Sequence, residues 1–157
     1  QSRFPEGAMI IKNGSAEFLD PHYSPPWRLR FEIPRATANV KANSKIAGRL
    51  QVEMNHTLPV VSMARNMGLN AIVGSLLKVE NLNGTAQINF AEGNLDIRRI
   101  KILSSGLDVY GNYRLTEGEK WGNLLAVKEP FAVGIRLRPK QSGIVLQDAY
   151  SWFGRAE

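Results

Sequence analysis

The chain has 157 residues, which is enough for one domain with a sizeable core, and we predict a single β-rich domain over residues 1–157. Its hydrophobic content of 43% and charged content of 22% are typical of a globular domain, and its net charge of +6 favours anionic partners. The absence of cysteine excludes a disulfide scaffold, cysteine-based zinc sites and a cysteine nucleophile.

The N-terminal third alternates short strands with turns. The pieces AMIIK and SAEFL flank an Asn-Gly dipeptide, which predicts a hairpin. In WRLRFEI, Trp27, Leu29 and Phe31 share one face of a strand, while the arginines take the other. Pro34 is expected to end this strand or to place it at a sheet edge, and ATANVKA and IAGRLQVEM follow as further strands.

The hydrophobic period becomes helical at Thr57, which is a good N-cap residue. Pro59 suits a first helical turn, and Gly68 is expected to be the C-cap. The following NAIVGSLLKV is either a second short helix or a buried turn and strand. We predict a small helical insert around residues 57–77.

Three consecutive strands with two tight turns are predicted between Leu82 and Leu115, in LNGTAQINF, LDIRRIKIL and LDVYGNYRL. Apolar side chains share one parity, so this meander has one apolar and one polar face. WGNLLAVK, FAVGIRLR and IVLQD add strands, and AYSWFG forms a short helix or packed tail. The fold class is therefore mainly β, with a curved antiparallel sheet that forms a half-barrel, a β-taco or a sandwich.

Motifs for catalysis or metal binding are missing. His22 and His56 have no partner at ligand spacing and are interpreted as exposed polar residues. The chain lacks the Gly-x-Ser-x-Gly elbow and a glycine-rich phosphate loop before a helix. We predict no catalytic residue, no metal and no cofactor, so the protein is interpreted as a non-enzyme.

The basic residues are dispersed, and Arg98-Arg99 is the one doublet. Arginine and aromatic residues of WRLRFEI fall on opposite strand faces, which does not favour nucleic-acid binding. Arg28, Arg30, Arg98 and Arg114 point outward from the predicted sheet and could attract anionic head groups. Binding of an anionic polymer is a further hypothesis that rests on charge alone.

The apolar face leaves two interpretations open. It either closes as a core, or it lines a groove that is partly open to acyl chains. The groove interpretation holds only if the helices are too few to cover the apolar face of the sheet. One helical insert is small compared with a sheet of nine or ten strands.

The run from Leu82 to Phe153 resembles the C-terminal region of AsmA-like bacterial envelope proteins, the repeating-β-groove group. The resemblance covers about half of the chain and lies in LNGTAQINFAEGNLDIRRIKILSSGLDVYGNYRL, WGNLLAVK, the Val-Gly-Ile of FAVGIRL and IVLQDAYSWF. The helical insert after Leu58-Pro59 also resembles that group.

The resemblance implies a periplasmic groove module that is a section of a longer, inner-membrane-anchored protein. Such a module binds or passes lipid between membranes, with lipid acyl chains and a neighbouring domain or envelope protein as partners. The implied groove lining consists of Leu82, Ile88, Phe90, Leu95, Ile97, Leu107, Val109 and Tyr113. The alternative function is a protein-interaction or assembly module that pairs through an exposed sheet edge.

Overall fold

A computed structural model describes residues 8–12, 14–39 and 45–156. The strands are β1 (Ala8–Lys12), β2 (Ser15–Asp20), β3 (Trp27–Asn39), β4 (Lys45–His56), β5 (Glu80–Ala91), β6 (Asn94–Leu103), β7 (Asp108–Thr116), β8 (Glu119–Lys128), β9 (Phe131–Leu137) and β10 (Gly143–Val145). The helices are α1 (Leu58–Asn66), α2 (Ala71–Leu76) and α3 (Ala149–Ala156).

All ten strands form one antiparallel sheet in which each strand pairs with its neighbours in sequence. β1 and β10 are the two edges, so the sheet is open and does not close into a barrel. This confirms the predicted mainly β fold with one antiparallel sheet. The strands follow the alternating patterns because each alternation places apolar side chains on one face.

The register defines two faces. Leu50 pairs with Ala86, Ile88 pairs with Ile97, and Ile97 pairs with Tyr113. Directly paired residues of neighbouring strands lie on the same face of a sheet. We call the face that carries these apolar residues the inner face, and the opposite face the outer face.

The helical insert is confirmed at residues 57–77, where α1 and α2 connect β4 to β5. Gly68 follows α1 with a φ of 102°, as a C-cap glycine does. The Thr57 hydroxyl, however, does not cap α1. It donates a hydrogen bond to the Leu77 carbonyl oxygen at 2.8 Å and accepts one from the Val79 amide at 3.0 Å. Thr57 therefore ties the two ends of the insert together.

Pro34 does not end the strand, but it does lie at a sheet edge, because over the described residues β2 pairs with β3 only as far as Glu32. β3 continues through Pro34 to Asn39, and its pairing with β4 shifts register between Glu32 and Arg35. A β-bulge leaves a residue out of the ladder, and this is where a sheet tolerates the missing amide of proline. ATANVKA is thus the second half of β3 as far as Asn39, and its last three residues lie outside the described part.

α3 packs on the outer face of β8 and β9. Its Ala149 and Phe153 are buried together with Leu125. A Cβ on Gly134 would lie 2.6 Å from the Trp152 ring, so the indole packs directly on the glycine backbone. AYSWFG therefore begins a short helix, one of the two forms expected from the sequence.

Candidate functional site

The eight residues of the implied groove lining all belong to β5, β6 and β7 or to the turn before β7. Ile88 is opposite Ile97, which is opposite Tyr113, and Phe90 is opposite Leu95. Leu82 shares the parity of Ile88, so it also lies on the inner face. The structure therefore places the set on one continuous face, but burial divides it into two parts.

The first part is a closed core beneath the helical insert. Leu82 is 2% exposed and Leu107 is 3% exposed. The residues that bury them come from α1, from the positions that flank α2, and from β8 and β9: Val61, Ala64, Leu69, Leu77, Ala126, Val133, Ile135 and Leu137. These two leucines are surrounded by protein and belong to the hydrophobic core.

Val109 and Tyr113 lie at the border of this core. Both are half-buried and pack against it. Burial raises the pKa of the Tyr113 phenol above its usual value, because the phenolate form loses hydration there. Tyr113 is therefore neutral at physiological pH, with its ring at the junction of the two parts.

The second part is not covered by a helix. Ile88 and Ile97 are half-buried and pack against Leu50, Val52 and Ala86, and this cluster contains no residue of the described helices. Phe90 and Leu95 are also half-buried and lie at the far ends of β5 and β6. We call the inner face around Ile88, Phe90, Leu95 and Ile97 the open half.

A cavity of about 860 Å³ lies where the end of α1 faces the β7–β8 turn and the segment after β9. Met67 and Leu137 contribute apolar lining, while Lys120, Arg138 and Lys140 contribute cations. None of the eight residues lines this cavity. The open half is thus a surface of the sheet, next to the closed core, and not the wall of this cavity.

His56 is a structural residue that the sequence interpretation missed. The sequence pattern predicts an exposed side chain, but His56 is 3% exposed. Its Nδ1 accepts a hydrogen bond from the Leu58 amide at 3.4 Å, so Nε2 donates to the Pro25 carbonyl oxygen at 2.9 Å. The His56 carbonyl oxygen accepts from the Trp27 indole at 3.0 Å. His56 therefore links the β2–β3 loop, β3 and the start of α1.

The other histidine, His22, is mainly exposed and contacts Asp20 at 2.8 Å. Over the described ranges, no three histidine, aspartate or glutamate side chains are grouped so that they could hold a metal ion. The longest described helix, α1, has nine residues, and no described helix has the length and apolarity of a membrane span.

The outer face of the sheet carries a set of exposed arginines. Arg28, Arg30, Arg98 and Arg114 are all exposed there, as the strand parity predicted. Arg28 forms an ion pair with Glu17 at 3.2 Å, and Arg98 forms one with Asp96 at 2.8 Å. Exposed pairs of this kind contribute about 0.2 to 1 kcal/mol to stability, so their main effect is on the electrostatic field of this face.

Comparisons of the chain with protein-family models, with curated proteins and with solved structures gave no match in any of the three.

Proposed function

We propose that the open half of the inner face binds the acyl chain of a lipid, and that the protein is a non-enzymatic hydrophobic-groove module. One observation carries this proposal. The apolar residues of β5 and β6 continue beyond the part of the face that α1 and α2 cover, and they are left half-exposed there. Contiguous apolar patches that stay accessible to solvent often mark binding sites.

Burial of apolar surface would drive acyl binding on this face. Each methylene that leaves water contributes about 0.8 kcal/mol, so a bound chain gains affinity in proportion to the length that contacts the sheet. Ile88 and Ile97 form a cross-strand pair, and Phe90 and Leu95 form the next pair along the same face. Two adjacent rows of branched and aromatic side chains make a track that is parallel to the strands.

The resemblance to AsmA-like proteins supports the wider proposal. We infer a periplasmic setting, a longer inner-membrane-anchored parent protein and a role in moving lipid across the envelope. The resemblance lies in β5 to α3, which includes the open half.

The test of acyl binding uses a matched pair of substitutions on β6. We expect the wild-type protein to bind a pyrene-labelled fatty acid, and Ile97→Asp to weaken this binding by about tenfold or more, because a carboxylate beside an acyl chain is costly to desolvate. Leu103→Asp places the same charge on the outer face, where Leu103 is 43% exposed, and should leave affinity unchanged. Fluorescence titration measures both.

Ile97→Met guards this test against a folding defect, because a volume-conserving apolar substitution retains both stability and the track. Binding that survives in Ile97→Met and is lost in Ile97→Asp supports the proposal. No fatty-acid binding by the wild-type protein, or equal loss in the two aspartate variants, would contradict it.

The alternative is an interaction module that uses a sheet edge. β10 has three residues and pairs along only part of β9, so a partner strand could extend the sheet there. This alternative predicts a lipid-free protein and a stoichiometric complex with a partner that is lost in Ile144→Pro.

A further inference from the structure

The Arg98-Arg99 doublet lies in a β-bulge that turns both arginines to the outer face. Ile97 pairs with Tyr113 and Ile100 pairs with Gly111, so two arginines are opposite the single residue Asn112. Arg99 has a φ of 51°, and its amide donates a hydrogen bond to the Asn112 side-chain oxygen at 3.2 Å. An ordinary strand would send consecutive side chains to opposite faces, and the bulge prevents this.

These arginines line a cavity of about 560 Å³ on the outer face of β6, β7 and β8. Arg98, Arg99, Arg114 and Arg138 contribute four positive charges, and Asp96 contributes one negative charge. The lining therefore has a formal excess of three positive charges. Trp121 forms part of the wall and is 42% exposed, so part of its indole is accessible from solvent.

Arg138 is held in place by neutral groups. Its guanidinium donates to the carbonyl oxygens of Gly122 at 3.0 Å and Leu137 at 2.6 Å, and to the side-chain oxygen of Asn123 at 3.1 Å. Its central carbon lies 5.9 Å from the centre of the Trp121 ring. These bonds use three of five N–H donors, so two remain in a fixed orientation.

The described part of the chain provides no ion pair for Arg138. Among residues 14–39 and 45–156, no carboxylate lies within ion-pair distance of its guanidinium. Asp96, the acidic residue among the described lining, instead contacts Arg98 at 2.8 Å and Arg114 at 3.7 Å. A half-buried, oriented guanidinium without an anion is a ready partner for an oxyanion.

We propose that this outer-face cavity is a binding site for a phosphate group, with Arg138 and Arg99 as its principal ligands and Trp121 as an adjacent contact for the remainder of the molecule. The site is independent of acyl binding, because it lies on the opposite face of the sheet. Asp96 competes with the ligand for Arg98 and Arg114, which sets the affinity below what four arginines alone would give.

The test is a titration followed by NMR at constant ionic strength, with inorganic phosphate and glycerol 3-phosphate as soluble probes and chloride as the control anion. We expect both phosphates, but not chloride, to shift the Trp121 indole resonance, which Trp121→Phe identifies. Arg138→Gln should weaken binding about tenfold, because one charged hydrogen-bonding group is lost.

Two further variants separate binding from folding. Arg99→Gly should weaken binding without loss of stability, because glycine adopts a φ of 51° without strain. Asp96→Asn should tighten binding several-fold, because it removes the competing carboxylate, and a damaged fold would not give tighter binding. Arg28→Gln, on the same face but outside the cavity, is the control and should have no effect on affinity.

Vesicles distinguish the source of the phosphate group. Binding to phosphatidylglycerol vesicles, but not to phosphatidylcholine vesicles, that is lost in Arg138→Gln assigns the site to a lipid head group. Binding of the soluble phosphates alone assigns it to a free phosphate ester. The proposal is overturned if neither phosphate probe nor either vesicle binds, or if Arg28→Gln weakens binding as much as Arg138→Gln does.

Discussion

Replacing Leu82 by alanine is expected to lower the free energy of unfolding by about 2 to 5 kcal/mol. Leu82 is 2% exposed and lies in the core that α1 and α2 form with β8 and β9. Truncation would leave a cavity that the sheet and two short helices can fill only by moving together. Urea denaturation followed by circular dichroism measures the change.

Leu103→Ala is the control for this prediction. Leu103 is 43% exposed on the outer face of the neighbouring strand, so its truncation should cost less than about 0.5 kcal/mol. If Leu82→Ala reduced fatty-acid binding with no loss of stability, Leu82 would line a groove and the division of the inner face into two parts would be incorrect.

Gly111→Ala is expected to destabilise the protein by roughly 3 kcal/mol or more, through a clash between backbones. Gly111 is buried between β6 and β8, and a Cβ there would overlap the Asn123 carbonyl oxygen and lie 2.9 Å from the Leu124 Cα. These are backbone atoms of the paired strand, so relief requires the β7–β8 ladder to separate. Thermal unfolding of the variant measures the loss.

Gly118→Ala provides the comparison. Gly118 has a φ of 78° in the β7–β8 turn, with nothing within 4 Å of the position of a Cβ. Alanine at this position should therefore lower the free energy of unfolding only through backbone strain, by about 1 to 2 kcal/mol. Equal losses in the two variants would show that close strand packing at Gly111 is not the reason for that glycine.

The meander and the helical insert could be predicted from the sequence because their signals are local. The alternation in β5 and β7 defines both strands and their apolar faces, and the change of period at Thr57 marks the start of the insert. The course of β3 could not be predicted in this way. Pro34 normally ends a strand, and only the pairing with β4 shows that a bulge accommodates it.

The sequence contains a sign of the bulge in β6, which is a break in the strict alternation of apolar and polar residues. Ile97 and Ile100 are three residues apart, although both face the same cluster of apolar residues. An odd spacing between two inward residues requires an extra residue in the strand, and the arginine doublet lies in that interval. The proximity of this arginine doublet to Arg138 and Trp121 depends on strand pairing over a long sequence separation. It could not be predicted from the local sequence.

The division of the inner face into a closed core and an open half could not be predicted from the sequence either. All eight residues share one parity, and parity does not show which of them a helix covers. That depends on where α1 and α2 pack, which is set by the tertiary cluster that includes Val61, Leu77 and Val133. The burial of His56 has the same origin, because its partner Pro25 is 31 residues away.

Native mass spectrometry of the protein purified without detergent, followed by organic extraction, tests the central claim most directly. The account predicts a bound lipid species that is displaced by added fatty acid and is absent from Ile97→Asp but present in Leu103→Asp. A lipid-free mass for the wild-type protein that does not change on incubation with labelled lipid would contradict acyl binding by the open half.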